Sequence, residues 1–354
     1  MLIPRFLETS PLRVYTLASH WGFEEEAKTA STRTPTFDIT KDLHQNDAEL
    51  MGGVACQQLH LLHFNHRQAA PAPLTHHTTP ATVLAETPPI PSSAVPYDCD
   101  APDADVIIRS SDGKELRIHQ FILSLTSPVF QRMFGLPQST RPSEIPIIDF
   151  PESSDILQPF LQYLYPRSPP KISDISMWEA LYTIADKYSA EVVMDLLRDM
   201  LIPRFLETSP LRVYALASCW GFDEEAKIAS TRTLTFDIIK DLHQGDAELM
   251  GGAACHRLHV LHLNRRGAAQ ALITNHPLPG MFCGCPPPDY TCLIPALSKR
   301  VALRPWLTAE ELYEEAGRWD YPIQCGRSCR NAFKNMHIYF ASLLKGMSEL
   351  PQKI

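Results

Sequence analysis

The thirty residues from Asp105 to Phe134 (DVIIRSSDGKELRIHQFILSLTSPVFQRMF) constrain the fold more than any other stretch of the chain. Two short apolar runs in it flank an Asp-Gly pair at 112–113. Such a pair indicates a β-hairpin, because glycine accepts the positive φ that a tight turn requires. Ser127 followed by Pro128 indicates the start of a helix, since the proline lacks only an N–H that would be unpaired there. The stretch therefore predicts a hairpin followed by two helices.

This stretch resembles the start of a BTB/POZ domain. In that family an Asp opens the first strand, an Asp-Gly turn follows and a His closes the second strand, before a helix that runs from Ser-Pro-Val-Phe to Met-Phe. Here the landmarks are Asp105, Asp112-Gly113, His119, Ser127-Pro128-Val129-Phe130 and Met133-Phe134. The strings GLPQ at 135–138, IPIIDFPES at 145–153, YLYP at 163–166 and ADKY at 185–188 resemble the expanded fungal, basidiomycete-like branch. The resemblance implies an α+β fold, a small three-stranded sheet with a cluster of helices, followed by a mostly helical extension.

The residues after this stretch predict further elements of the same kind. They are a third strand at 145–150 and helices at 153–165, 176–188 and about 190–202. Ser176 is the predicted cap of the second helix, and Pro203 is expected to end the third. Pro159 lies inside the first helix, so that helix either begins nearer Leu157 or has a distorted first turn.

A long repeat organises the rest of the chain. Residues 1–70, the first copy, align with residues 200–269, the second copy, and 56 of the 70 positions are identical. The period is far too long for a solenoid repeat. Our hypothesis is that the chain joins the tail of one tandem gene to a complete second copy, through a gene-model error or a truncated duplication.

The two copies differ mainly by loss of apolar residues in the first. Thr29, Pro35 and Thr40 stand where the second copy has Ile228, Leu234 and Ile239. We therefore expect residues 1–66 to be less stable than their counterpart, helical in outline without forming a domain of their own.

Composition along the chain suggests five segments. They are an orphan helical duplicate at 1–66, a Pro-rich linker at 67–102, the BTB/POZ domain at 103–203, a helical extension at 204–270 and a Cys-containing helical tail at 271–354. The linker cannot bury enough apolar area to offset the entropy of ordering it.

Histidines and cysteines near the C-terminus invite a metal interpretation. His256, His259 and His262 follow one another every three residues, but a polar flank beside neighbouring leucines is the favoured interpretation. Farther on, the zinc candidates are Cys283, Cys285, Cys325 and Cys329. Cys325-x3-Cys329 fits zinc spacing and Cys283-x-Cys285 is tight for it, so zinc and unliganded thiols stay open, and no cofactor is assigned.

Charge and motifs narrow the function. The net charge of −8 argues against a nucleic-acid surface over the whole chain. The N-terminus lacks the pattern of a secretory signal, and no apolar run is long enough to cross a bilayer. The nine cysteines are an odd number. We therefore expect a cytoplasmic or nuclear protein with reduced thiols. No phosphate-binding, nucleophile or metalloprotease motif occurs, and we expect a protein that is not an enzyme.

The resemblance implies protein partners and above all a homodimer, because BTB domains commonly self-associate through their first helices. The candidate interface residues are Asp105, His119, Phe121, Ile122, Leu125, Val129, Phe130 and Met133. About half of the six apolar ones must be buried within the monomer. One alternative is a substrate adaptor for a cullin-type ubiquitin ligase, although Pro142-Ser143-Glu144 puts a proline in the hydrophobic place of the family's hydrophobic-x-Glu motif. A second is a transcriptional regulator with a zinc-bound C-terminal segment.

Overall fold

The computed structural model describes residues 10–34, 37–68, 103–136, 145–165, 169–275, 341–343, 345–350 and 354, without the side chains of 64–68. In chain order its main elements are α1 (Pro11–Trp21), α2 (Glu24–Ser31), α3 (Ile39–Asp42), α4 (Gln45–Gln68), β1 (Val106–Arg109), β2 (Glu115–Ile118), α5 (Gln120–Thr126), α6 (Pro128–Phe134), β3 (Ile147–Asp149), α7 (Ser154–Leu164), α8 (Ile175–Lys187), α9 (Glu191–Phe205), α10 (Pro210–Cys219), α11 (Asp223–Thr233), α12 (Ile238–Asp241) and α13 (Gln244–Asn275). They fall into a sheet-containing unit, Pro73–Phe205, and a helical unit formed by Met1–Ala72 with Leu206–Ile354.

The sheet has three strands in the order β2-β1-β3. β1 and β2 pair antiparallel with Val106 opposite Ile118, and Gly113 in the connecting turn has a φ of +80°. β3 pairs parallel to β1, with Ile107 opposite Ile147. Alternate residues of the hairpin are buried, as the period of two along a strand requires. The predicted hairpin and third strand are therefore confirmed.

Helices α5 to α9 accompany this sheet. The Ser127 hydroxyl accepts a hydrogen bond from the Phe130 N–H at 3.2 Å, which confirms the predicted cap of α6. Inside the unit the indole N–H of Trp178 on α8 donates to the Leu197 carbonyl of α9 at 2.7 Å. Trp178 and Leu197 are both fully buried, so this bond pairs a polar group inside the core.

Three details of these helices were predicted wrongly: the cap of α8, the later of the two alternatives for the start of α7, and the end of α9. The cap of α8 is the Asp174 carboxylate, which accepts from the Ser176 N–H at 3.1 Å, because an acidic residue with the same capping ability lies two residues earlier. α7 begins at Ser154 and carries Pro159 inside it, and α9 runs through Pro203 to Phe205. Burial holds both helices together across their prolines, since Leu157, Phe160, Leu201 and Phe205 are buried.

In the helical unit the two copies fold alike. α1 packs on α2 and α4, and α10 packs on α11 and α13. The Tyr15 hydroxyl donates to the Ala55 carbonyl at 3.2 Å, and the equivalent Tyr214 hydroxyl donates to Ala254 at 2.9 Å. The first copy does form the helices that its sequence predicts. Its lower stability stays a prediction, and among the altered positions Ile228 is 48% exposed whereas Leu234 is buried.

The two copies meet along α4 and α13, which pack against each other. Gly53 of α4 lies against the Ala247 carbonyl, and the equivalent Gly252 of α13 lies against the Ala48 carbonyl, so closely that a Cβ atom on either glycine would overlap that oxygen. Ala48 and Ala247 are themselves equivalent positions of the two copies. The contact is therefore reciprocal, as it is in a two-fold symmetric dimer.

The histidines of α13 are buried, so the interpretation of His256, His259 and His262 as a polar flank was wrong. Their exposed fractions are 7%, 1% and 7%, because α4 and neighbouring helices cover the face that carries them. Burial, then the neighbouring His259 and Arg257, lowers the pKa of His256 from 6.5 to about 4. The imidazole of His256 is therefore neutral at pH 7.

Several predictions lie outside the described residues. These are the linker beyond Gln68, the Pro142-Ser143-Glu144 loop and the zinc candidates Cys283, Cys285, Cys325 and Cys329. In the part of the chain that the structure describes, none of the helices combines the length and apolar character needed to cross a bilayer.

Candidate protein-interaction surface

The start of α5 is fixed by Asp105, the residue that precedes β1. Its carboxylate accepts a hydrogen bond from the Gln120 backbone N–H at 2.7 Å. The first N–H groups of a helix have no partner within the helix, so a carboxylate from a neighbouring segment can cap it. Asp105 therefore orients the helix that carries the first candidate interface residues.

His119 holds the junction between β2 and α5. Its backbone N–H donates to the Tyr165 hydroxyl at 3.0 Å, and its Nδ1 lies 3.1 Å from the same oxygen. Its Nε2 lies 3.3 Å from a carboxylate oxygen of Asp103. Both ring nitrogens thus have polar partners, and the side chain is positioned as a strand–helix brace.

The apolar candidates divide by exposure. Phe121 and Leu125 are each 72% exposed, and they lie four residues apart on α5, which puts them on the same side of the helix. Ile122, Val129 and Met133 are only partly exposed. A phenylalanine and a leucine left in water next to each other form the most prominent apolar feature of this surface.

Phe130 belongs to the core. It is fully buried, and its ring stacks on Tyr188 with a centroid distance of 4.9 Å and tilts against Phe150 at 5.9 Å. Burial and then the nearby Glu152 carboxylate raise the pKa of Tyr188, so its phenol stays neutral in this cluster. Phe130 is one of the candidates that serve the monomer, and it does not line the surface.

Asp112 has a second role, in addition to the hairpin turn that the sequence predicts for it. Its carboxylate accepts from the Ser154 backbone N–H at 2.9 Å and from the Ser154 hydroxyl at 2.6 Å. Hydrogen bonds from Ser110 and then Ser154 hold its pKa well below 3.8. The turn therefore also anchors the start of α7, a contact between residues 42 apart that no local pattern could indicate.

Two further groups of exposed apolar residues were not singled out from the sequence. Leu136, just after α6, is 64% exposed, and on α9 Val192 and Leu196 are 60% and 43% exposed. Val192 and Leu196 share the four-residue spacing of Phe121 and Leu125. Helical periodicity alone predicts that an apolar pair on a helix is buried in the core. Only the structure therefore separates the exposed pairs from the buried ones.

Comparison with known proteins agrees with this architecture. A family model of the BTB/POZ domain matches residues 100–204, which include the whole sheet and helices α5 to α8. None of the curated proteins with which the chain was compared matches it. The three-stranded sheet, its helices and this match lead to one conclusion: the chain contains a BTB/POZ domain, a type of domain that fits a protein-interaction module.

Proposed function

We propose that this protein is a non-enzymatic protein–protein interaction protein whose BTB domain homodimerises through the face of α5. The observation that carries the proposal is the exposure of Phe121 and Leu125, 72% each, on one side of that helix. Burying a side chain of this size is worth roughly 1.5–3 kcal/mol. A symmetric contact buries each side chain twice, once in each protomer.

The remaining candidates fit around this pair. Ile122, Val129 and Met133 are partly exposed, and we place them at the margin of the proposed interface. Asp105 and His119 fix the start of the helix that carries Phe121 and Leu125. Phe130 is buried in the core and is therefore left out of the interface. The proposed interface is therefore Phe121 and Leu125 at the centre, with the three partly exposed residues beside them.

The test is the solution mass of the full chain and of two double variants. Phe121→Asp with Leu125→Asp should convert a dimer at micromolar concentration to a monomer, because it would bury four carboxylates against each other in the dimer. The matched control is Val192→Asp with Leu196→Asp, which makes the same change on an exposed pair of α9. A wild-type chain that is monomeric throughout the concentration range, or a dimer that survives the α5 variant, would overturn the proposal.

The two alternatives depend on residues outside those described. Cullin binding involves the loop at 142–144, and a pull-down with a purified cullin scaffold distinguishes it from simple dimerisation. The zinc-dependent transcriptional alternative depends on the cysteines between 283 and 329, and the zinc content of the purified chain with those cysteines replaced by serine tests it.

We further infer that the chain belongs to the fungal branch of the family and that residues 1–70 arose by duplication. Membership of the fungal branch rests on the four strings of the sequence, and the duplication rests on the 56 identical positions of the two copies. Full-length transcript sequencing tests the gene-model hypothesis, because a single message that codes for residues 60–110 without a break would remove it.

A further inference from the structure

Equivalent polar residues of the two copies meet between α4 and α13. Cys56 corresponds to Cys255 and His60 to His259, and none of these four residues is more than 2% exposed. The rings of His60 and His259 stack with a centroid distance of 4.3 Å. A core made of thiols and imidazoles is unusual, because buried contacts between helices are normally apolar.

Two of these residues, Cys56 and His60, converge with a third donor, His256 of α13. Cys56, His60 and His256 each place one ligand atom within 4.8 Å of the other two, and all three residues are buried. The closest approach is between His60 Nε2 and His256 Nδ1, at 3.1 Å. Two imidazole nitrogens bound to one tetrahedral zinc at about 2.0–2.1 Å lie about 3.3 Å apart, so small shifts would bring this pair to coordinating distance.

Hydrogen bonding within the cluster is incomplete. His60 Nδ1 and His259 Nε2 are buried and have no hydrogen-bond partner among the described residues, although His259 Nδ1 lies 2.9 Å from the Cys255 carbonyl. Buried polar atoms in folded proteins are nearly always paired, and an ion is one of the ways in which an apparent exception is satisfied. The cluster therefore contains more donor atoms than its own hydrogen bonds use.

We propose that Cys56, His60 and His256 bind a single zinc-type divalent cation between α4 and α13. Thiolate with imidazole is a set that favours Zn²⁺ over Mg²⁺, Ca²⁺ or Mn²⁺. The fourth donor can come from His259, whose ring stacks on His60, or from Cys255, whose Sγ lies 3.6 Å from His259 Nδ1. Binding through Cys56 forms a metal–sulfur bond and releases the thiol proton to water. Because the ligands come from both copies, the cation would hold the two helices together.

The differences between the copies make the site one-sided. Where the second copy has His256, the first has Gln57, whose amide donates to the Leu242 carbonyl at 2.8 Å. Only one such group of three is therefore found among the described residues. The same difference supplies a test variant, because His256→Gln introduces the residue that the fold already accepts at the equivalent position.

The experiment titrates the full chain, stripped with a chelator, with Zn²⁺ and with Co²⁺ as a spectroscopic probe. The wild type should bind one equivalent more than Cys56→Ser or His256→Gln, and the Co²⁺ form should lose absorption of a thiolate-bound tetrahedral ion in both variants. His262→Gln, which changes another buried histidine of α13, should keep that equivalent. Replacing the four C-terminal zinc candidates, Cys283, Cys285, Cys325 and Cys329, by serine should leave it unchanged.

Thermal unfolding supplies a second measurement. Saturating Zn²⁺ should raise the Tm of the wild type and of His262→Gln, because a ligand that binds only the folded state stabilises it, and should raise it less in His256→Gln. Equal metal content in the wild type, Cys56→Ser and His256→Gln would overturn the proposal, and so would an equal Tm shift. A wild type that binds no metal would do the same.

Discussion

At the scale of single residues, the cap of α8 shows how closely matched two sequence signals can be. Ser176 and Asp174 are both good capping residues, two positions apart, and the structure uses Asp174. The cap is the residue at which the chain enters the helix, and the sequence predicts that position only to within one or two residues. A cap could be predicted there, but its identity could not.

Asp174→Ala should lower the free energy of unfolding by about 1 kcal/mol, because it removes the acceptor for the Ser176 N–H. Urea denaturation of the full chain, followed by circular dichroism, measures the difference. Ser176→Ala is the matched control, and it should change stability by less than about 0.5 kcal/mol. If Ser176→Ala lowered the free energy of unfolding more than Asp174→Ala does, Ser176 and not Asp174 would be the cap.

His262 gives the helical unit a pH dependence. Its Nε2 lies 3.2 Å from the Thr233 hydroxyl, and burial, then the charges of His259, Arg266 and Arg265, lower its pKa from 6.5 to about 3. An unfolded chain takes up this proton near pH 6.5, whereas the folded chain stays neutral down to about pH 3. The stability that the neutral imidazole contributes is therefore complete above pH 6.5 and is lost progressively as the pH falls toward 3.

His262→Gln keeps a hydrogen-bonding side chain and removes the titration. Because one proton fewer is then taken up on unfolding, the free energy of unfolding should depend less steeply on pH between about pH 6 and 4. The slope should fall by about 1.4 kcal/mol per pH unit. Urea denaturation at several pH values measures that slope. A variant with the wild-type slope would show that His262 takes up no proton on unfolding in this range.

At the scale of elements, local signals predicted what is local. The Asp-Gly turn and the Ser127 cap lie within a few residues of the structure that they specify, and both are confirmed. Pro159 and Pro203 were expected to disturb or end helices, but packing of the surrounding residues keeps α7 and α9 continuous. Tertiary burial outweighs the loss of single helical hydrogen bonds at these two positions.

The close contact of α4 with α13 depends on glycine at two positions. Gly53→Ala or Gly252→Ala should reduce the free energy of unfolding of the helical unit by about 1–3 kcal/mol or more, because each new Cβ would overlap the facing carbonyl and force the helices apart. Chemical denaturation of the full chain, monitored by circular dichroism, measures the effect.

Gly267→Ala, in the same helix α13, is the control for these substitutions. A Cβ atom there would meet nothing within 4 Å, so the change should be neutral or stabilise by up to about 1 kcal/mol, through helix propensity. If all three variants had the same stability, the close approach of the two helices would be contradicted.

At the scale of the whole molecule, the sequence could identify the BTB domain because its landmarks occur in order within thirty residues. It could not indicate that the first copy packs on the second, since residues such as His60 and His256 are 196 positions apart. The burial of the histidines follows from that pairing. The sequence could predict which segment carries the candidate surface, because the same landmarks identify that segment. It could not predict that Phe121 and Leu125 are exposed whereas Phe130 is buried.

The pairing of the copies also predicts how large an assembly the protein forms. If the BTB domain dimerises and α4 meets α13 within each chain, the full chain should reach twice its mass of 39.8 kDa and go no further. Light scattering after size-exclusion chromatography, over a range of loading concentrations, measures this. Tetramers or longer oligomers would indicate that the repeated helices also pair between chains.

The reciprocal glycine contact has one more consequence. Two helices that meet in this way on separate polypeptides would associate in a second-order reaction, and dilution would part them. In this protein both belong to one polypeptide, so their encounter is first-order and the chain acts as a tether that fixes their effective concentration. Dilution, which would dissociate a dimer of BTB domains, should leave this contact formed.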